Sequence, residues 1–365
     1  TRVVDTTGFV CGDLHLHSAR SNDSSVPVEE RVRSLLAVGL DFAVSSDHDM
    51  ITDYAPTLRA LGGEARLHTF VGEELSATHY GHFNGFPLAA DLDAPGRGAV
   101  DWSFRAPSEV FAALRARSTD GVVQLNHPRD GATSFFNAIG FDPATAQPTR
   151  APDAPGLNLP ADTNLADFGF DAVEVFNSTT QDSIDAAFRD YLALLKAGMR
   201  FTMTGTSDSH TPGRPPGSFR TCVASSTDDP ARIDAPALLG ALRAGHATVS
   251  GGPFVTVRVD GEFAMGRDLV AADGVVDLDV RVQAPPWMDV TTLRVWVDGA
   301  PALDRTIAPG TEIERFRETL RVAVPDGGAV VVEARGARPL APVASGAPRS
   351  ATNPVWVHRT EESIR

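Results

Sequence analysis

The chain has 365 residues, 42% hydrophobic and 22% charged, with a formal net charge of -15. That length suits two domains, or one large α/β domain with an appendage, and the composition suits a globular protein with a sizeable core. Acids outnumber bases 47 to 32, and no apolar run reaches 18 residues, so a basic nucleic-acid track and a membrane-spanning helix are both excluded as expectations. A small anionic substrate stays compatible with the charge, because bound cations and a few Arg residues reverse the sign locally. The two cysteines, Cys11 and Cys222, make no disulfide framework and leave a single bridge open. The chain opens with Thr rather than Met, so a processed or trimmed N-terminus is expected, and an exported protein is compatible with that.

The first 250 residues or so alternate short apolar strands with helical segments. Strands are expected at 9–18, 41–49, 67–77, 121–128, 170–178 and 200–210, and helices at 26–40, 108–117 and 183–198. In the first helix Pro27 sits near the start, acids follow, and Gly39 is placed to end it. This βα alternation argues for a parallel sheet, open or closed into a barrel. Residues 130–169 are rich in Pro, Ala, Gly and Asp and read as a long insertion, either a lid or a surface loop. From residue 251 the pattern becomes period two, with Asp-Gly turns at 260–261, 298–299 and 326–327, and an antiparallel β-sandwich is expected over 251–365.

Chemistry-bearing residues gather at the strand ends. His15 and His17 stand two apart, as do Asp208 and His210, and residues i and i+2 of a strand point the same way. Asp23, His48, Glu73, His82 and His127 complete the candidate ligands, with His82 preferred over His79. Asp47 reads as a supporting or capping carboxylate, and His68 and His246 as ordinary histidines. A His/Asp/Glu set without thiolates suits divalent Zn, Mn or Fe rather than a structural zinc site.

In order, "GDLHLHS", "SDHD", "GEELS", "GHFNGF", "NHPR", "EVFN" and "GTSDSH" resemble the motifs of the PHP (polymerase and histidinol phosphatase) metallohydrolases over residues 11–210. "GDLHLHS", "GHFNGF" and the terminal β region with "ATNPVWV" look like the CehA/McbA branch. The resemblance implies a distorted (β/α)7 barrel over 1–250 with two or three metal ions at the strand ends. It implies one ion on His15, His17, Glu73 and Asp208, a second on Asp23, His48 and His210, and a third on Glu73, His82 and His127, with Glu73 bridging. A carboxylate at Asp23, where many members carry His, tilts that site towards Mn or Fe.

The expected activity is hydrolysis by a metal-activated water. Phosphomonoesters or phosphodiesters come first as substrates. Carbamate, ester or amide hydrolysis is the second reading, and a non-catalytic, metal-stabilised binding module the third. Arg20 and Arg129 directly follow metal motifs and are expected to bind an anionic substrate oxygen. The expected partner is a small molecule, anionic or a carbamate.

Overall fold

The computed structural model describes residues 2–118, 120–149, 163–177, 180–344 and 346–364. Ten strands build the part that carries the candidate ligands: β1 (Phe9–Asp13), β2 (Phe42–Ser45), β3 (His68–Val71), β4 (Glu73–Ala77), β5 (Gly81–Phe86), β6 (Val122–Leu125), β7 (Ala172–Phe176), β8 (Thr202–Gly205), β9 (Arg220–Ala224) and β10 (Ala247–Gly251). The helices among them include α1 (Val28–Val38), α2 (Ala55–Ala60), α3 (Pro107–Arg117), α4 (Phe135–Ala138), α5 (Gln181–Lys196) and α6 (Ala235–Arg243). In α1 two acids occupy the first turn and Gly39 ends the helix in the left-handed region at φ 69°, where a side chain would be strained.

The strands divide between two sheets. β1, β2 and β3 run parallel in a large sheet that continues through antiparallel β9 and β10. A five-stranded sheet has the order β8–β7–β6–β5–β4, parallel from β6 to β8 and antiparallel from β4 to β6. No continuous ladder closes these strands among the described residues, so the expected distorted (β/α)7 barrel is not shown. The break falls at Gly72, inside the segment read as one strand. A Cβ there would lie 2.8 Å from the Gly85 carbonyl oxygen and 2.9 Å from that of Ser45, so only glycine fits. β3 therefore joins one sheet and β4 the other. Two isolated parallel bridges, Leu16 with Ser209 and His48 with Glu74, stitch the sheets together at the candidate site.

Cys11 and Cys222 face each other in the β1–β9 register and form a disulfide. Beyond residue 251, strands Phe254–Val259, Val275–Gln283 and Glu314–Ala323, with Glu262–Phe263, make a separate antiparallel sheet. The other C-terminal strands extend the large sheet outward from β10, so that sheet continues across residues 250–251, where the sequence suggests a domain boundary. Val255, Val257, Leu278 and Val280 of the antiparallel sheet meet Val295, Val330, Val332 and Val355 of the large sheet in one apolar core. Full burial of each such side chain contributes about 1.5–3 kcal/mol.

The described part of the expected insertion is packed. Phe135, Phe136, Ile139 and Phe141 are buried in the core beside α3 and α5. The expectation of a lid falls otherwise on residues 150–162, which lie outside the described residues. Among the described residues no helix is long and apolar enough to cross a membrane.

Candidate metal centre

The centre forms where the strand ends leave their ladders. Asp208 N donates to the His15 carbonyl at 3.0 Å and His17 N to that of Ser209 at 3.1 Å, so the two i, i+2 pairs interleave. Glu74 N donates to the Asp47 carbonyl and Asp49 N to that of Glu74, which sets His48 beside Glu74. Asn126 N donates to the His82 carbonyl, bringing His82 next to His127. Behind them the buried Arg31 of α1 donates to the His17 carbonyl, the Ser209 carbonyl and Ser209 Oγ, each at 2.8 Å. Asp13 accepts from the backbone N–H of His15, Ser207 and Gly217. These bonds satisfy backbone groups that would otherwise be buried without partners.

Of the nine candidate ligands, eight come together: His15, His17, Asp23, His48, His82, His127, Asp208 and His210. Glu73 does not. Its carboxylate points away and accepts from Val100 N at 3.0 and 3.1 Å. Glu74 occupies the centre instead, which corrects the motif-based assignment by one residue. The cause is strand parity: Glu73 lies on the face of β4 that carries the core residues Leu75 and Ala77, so Glu74 and Ser76 take the other face.

Glu74 is the hub. Its Oε2 lies 3.2 Å from His15 Nε2, 3.4 Å from His17 Nε2 and 2.9 Å from His48 Nδ1, and its Oε1 lies 3.1 Å from His82 Nδ1 and 3.2 Å from His127 Nε2. Asp208 Oδ1 lies 3.3 Å from His15 Nε2, 3.1 Å from His17 Nε2 and 3.3 Å from His210 Nδ1. On the open side, Asp23 Oδ2 lies 3.2 Å from His48 Nε2 and 3.1 Å from His210 Nε2. Four overlapping donor groups result: His17, Asp23, His48 and His210; His15, His127 and Asp208; His15, His17 and Glu74; His48, Glu74 and His82.

The buried floor tests whether a cation fits. His15 Nε2, His17 Nε2, Glu74 Oε2 and Asp208 Oδ1 are shut off from water, converge, and make no hydrogen bond. Their imidazole–carboxylate separations run from 3.1 to 3.4 Å. A tetrahedral ion with ligand bonds of about 2.0–2.2 Å has ligand–ligand edges of about 3.3–3.6 Å, so the set fits a divalent cation with little movement. Backbone strain points the same way. Asp208 and His127, with φ of 48° and 24°, stand in the left-handed region, which costs a non-glycine residue about 1–3 kcal/mol.

The charges answer one another. Burial pushes the Glu74 carboxyl up, but His15, His48 and His82 outweigh it and hold it well below the usual carboxylate range. Burial pulls the imidazoles of His48 and His127 down, and contact with Glu74 more than reverses this, to about 9 for each. His17 is driven down to about 4, chiefly by burial. Protons thus serve as the counterions of this carboxylate centre, a place that divalent cations can take.

Supporting groups hold the rings. Asp47, read from sequence as a supporting carboxylate, accepts from Ser18, Ser21 and Thr52, and Ser21 Oγ meets His17 Nδ1 at 2.9 Å. Glu174 of β7 meets His15 Nδ1 at 2.8 Å. Asn126 donates to both Glu74 and Asn84. Sequence reading missed Glu174 and Asn126, although a charged residue inside "AVEVF" was a signal.

Of the two expected anion binders, Arg129 is committed to the scaffold. Its guanidinium pairs with Asp190 and donates to the Phe141 carbonyl and Asn137 Oδ1. This corrects its expected role, since those donors are spent on buried acceptors. Arg20 stands exposed on the loop between His17 and Asp23.

No protein-family model matches this chain, and no curated protein matches it. Among solved structures it is similar to the lesion-specific endonuclease PfuEndoQ from Pyrococcus furiosus, at 12% identity and a TM-score of 0.39, over 73% of this chain. The chain spans 60% of the length of that endonuclease. A protein from Bifidobacterium adolescentis, named for an inferred metal-dependent phosphoesterase activity, is similar at 16% identity and a TM-score of 0.33, over 56% of this chain and 90% of that one. Likenesses this slight establish neither family nor activity, and the functional reading rests on the site itself.

Proposed function

We propose that this chain is a metal-dependent hydrolase of small phosphoesters. The observation that carries the reading is the convergence of His15 Nε2, His17 Nε2, Glu74 Oε2 and Asp208 Oδ1, all buried and none hydrogen-bonded. These four residues would hold one ion. His48 and His210 with Asp23 would hold another, and Glu74 with His82 and His127 a third, Glu74 serving two ions at once. Divalent cations there supply Lewis acidity towards water and towards a substrate oxygen. The motif resemblance to PHP metallohydrolases supports the same chemistry, and the net charge of -15 favours a small molecule over nucleic acid.

The chain's own residues divide the remaining work. Arg31 and Asp13 lock the ligand-bearing strand ends, and Ser21 with Asp47 orients His17. The rim is open, with the Asp23 side chain 49% exposed, so substrate meets the site from the side of Asp23 and His210. Arg20 stands on the loop leading to Asp23 and would bind a substrate phosphoryl oxygen. The Cys11–Cys222 bond suits a compartment in which disulfides persist, which supports export.

The test is turnover of a nitrophenyl phosphomonoester, a bis-nitrophenyl phosphodiester and a naphthyl methylcarbamate, with and without chelator, by protein of measured metal content. Chelator-sensitive phosphoester hydrolysis is expected. Carbamate turnover alone would move the function to carbonyl chemistry on the same ions. Protein that retains no divalent metal would overturn the reading.

A further inference from the structure

Two histidines form the floor of the centre, and they are held differently from behind. His17 Nδ1 rests on a neutral hydroxyl, Ser21 Oγ. His15 Nδ1 rests directly on the Glu174 carboxylate at 2.8 Å, with no water or hydroxyl between. Glu174 is itself fully buried, and each of its oxygens is engaged. Oε1 also accepts from Thr206 Oγ1, while Oε2 accepts from His127 N at 2.6 Å and from Asn177 Nδ2 at 2.8 Å. One carboxylate on β7 therefore fixes the ring of His15 and the backbone of His127, two residues from different strands that both face Glu74.

We propose that Glu174 is a positioning residue: by accepting from His15 Nδ1 it fixes the imidazole tautomer with Nε2 free to ligate, and makes His15 the strongest nitrogen donor of the centre. The inference rests on the proposed metal site. An imidazole that gives its far N–H to a carboxylate carries more electron density on the ligating nitrogen, and removal of such a partner lowers metal affinity roughly 10–100-fold. The hydroxyl behind His17 polarises its ring far less, so the two floor histidines are unequal ligands. Asp13 supplies the contrast. It is an equally buried carboxylate, yet it holds the backbone N–H of His15, together with those of Ser207 and Gly217 and the Ser207 side chain.

The experiment is Co(II) loading of the full chain, read by chelator competition and by the visible d–d absorption of the bound ion. Glu174→Gln keeps the shape but replaces the carboxylate, and is expected to bind Co(II) roughly 10–100-fold more weakly, with shifted d–d bands. Glu174→Asp keeps the charge and withdraws it by one methylene, and should fall between the wild type and Glu174→Gln. It also serves if the Gln variant fails to fold. Glu73→Gln, at a buried carboxylate that points away from the centre and accepts from Val100 N, should leave the Co(II) affinity and bands in place. Glu174 variants with wild-type affinity and bands would overturn the inference and leave the metal site standing. A wild-type chain that takes up no Co(II), Mn(II) or Zn(II) would overturn both.

Discussion

Exchanging neighbouring glutamates for glutamine separates the site from its scaffold. Glu74 meets five imidazoles at 2.9–3.4 Å, whereas Glu73 accepts from the backbone N–H of Val100. Glu74→Gln keeps the volume of the hub and removes its charge. Loss of a mere supporting group already weakens a metal site roughly 10–100-fold, so loss of a shared ligand should cost at least that, about 1.4–2.7 kcal/mol, and abolish chelator-sensitive turnover. Glu73→Gln should leave metal content unchanged and act on stability. Burial, opposed by the Val100 N–H, pushes the Glu73 carboxyl up to about 8 from its ordinary 4.5. Its folded value is raised, so its contribution is fully present below pH 4.5 and is lost as pH rises through about 8. Glutamine removes that loss. The variant should match the wild type in mild acid and exceed it near pH 9, by an amount on the order of a few kcal/mol, since each pH unit across the window is worth about 1.4 kcal/mol. Bound metal measured by mass spectrometry, with thermal melts across the pH range, reads both effects. Metal lost from the Glu73 variant and kept by the Glu74 variant would refute the reasoning and restore the assignment by motif.

Arg129→Ala should lower stability by about 3–5 kcal/mol, because it strands the nearly buried Asp190 carboxylate, and should leave KM unchanged; a raised KM with an unchanged melt would return Arg129 to substrate binding. Replacing Cys11 and Cys222 together by Ala opens a link across 211 residues, worth up to about 5 kcal/mol of chain entropy, and thermal melts with and without reductant should show it as a lower melting temperature in the variant and in the reduced wild type. His48 and His127, each near 9, must shed protons to become ligands, so metal affinity should rise with pH up to about 9. Calorimetric titration with Zn(II) in buffers of different ionisation enthalpy should record protons released on binding. Zero release would show that these imidazoles are already neutral.

How much of this was legible in the sequence depends on which geometry each residue answers to. His15 with His17, and Asp208 with His210, were readable because i, i+2 spacing on a strand fixes a shared side whatever the fold does next. Their convergence was not readable, because it depends on two bridges between separate sheets, Leu16 with Ser209 and His48 with Glu74, which pair residues distant in sequence. The division of the strands at Gly72 is hidden from the sequence for a related reason. The run 67–77 is uniformly strand-like, and only the approach of the Ser45 and Gly85 carbonyls shows that it must be cut there and shared between sheets.

Strand parity decides between Glu73 and Glu74, and the same rule accounts for Glu174. In "EELSA" the apolar Leu75 and Ala77 declare which face meets the core, and Glu73 shares it, which leaves Glu74 with Ser76. In "AVEVF" Val173 and Val175 take the core face, which turns Glu174 the other way, beside Thr204 of β8 in register. Each strand of the five-stranded sheet thus turns one polar residue away from its core face, and this polar set, Glu74, Asn84, Gln124, Glu174 and Thr204, is fully buried. Hydrogen bonds join most of it: Thr204 Oγ1 donates to Gln124, Gln124 to Asn126, and Asn126 to Asn84 and Glu74. An interior built this way has few apolar contacts to hold it and is expensive wherever a donor or acceptor goes unmet. Among the described residues, four unmet atoms converge at its mouth, on His15, His17, Glu74 and Asp208, and that concentration of unpaired ligand atoms is why the cost reads as a ligand site rather than as a packing fault.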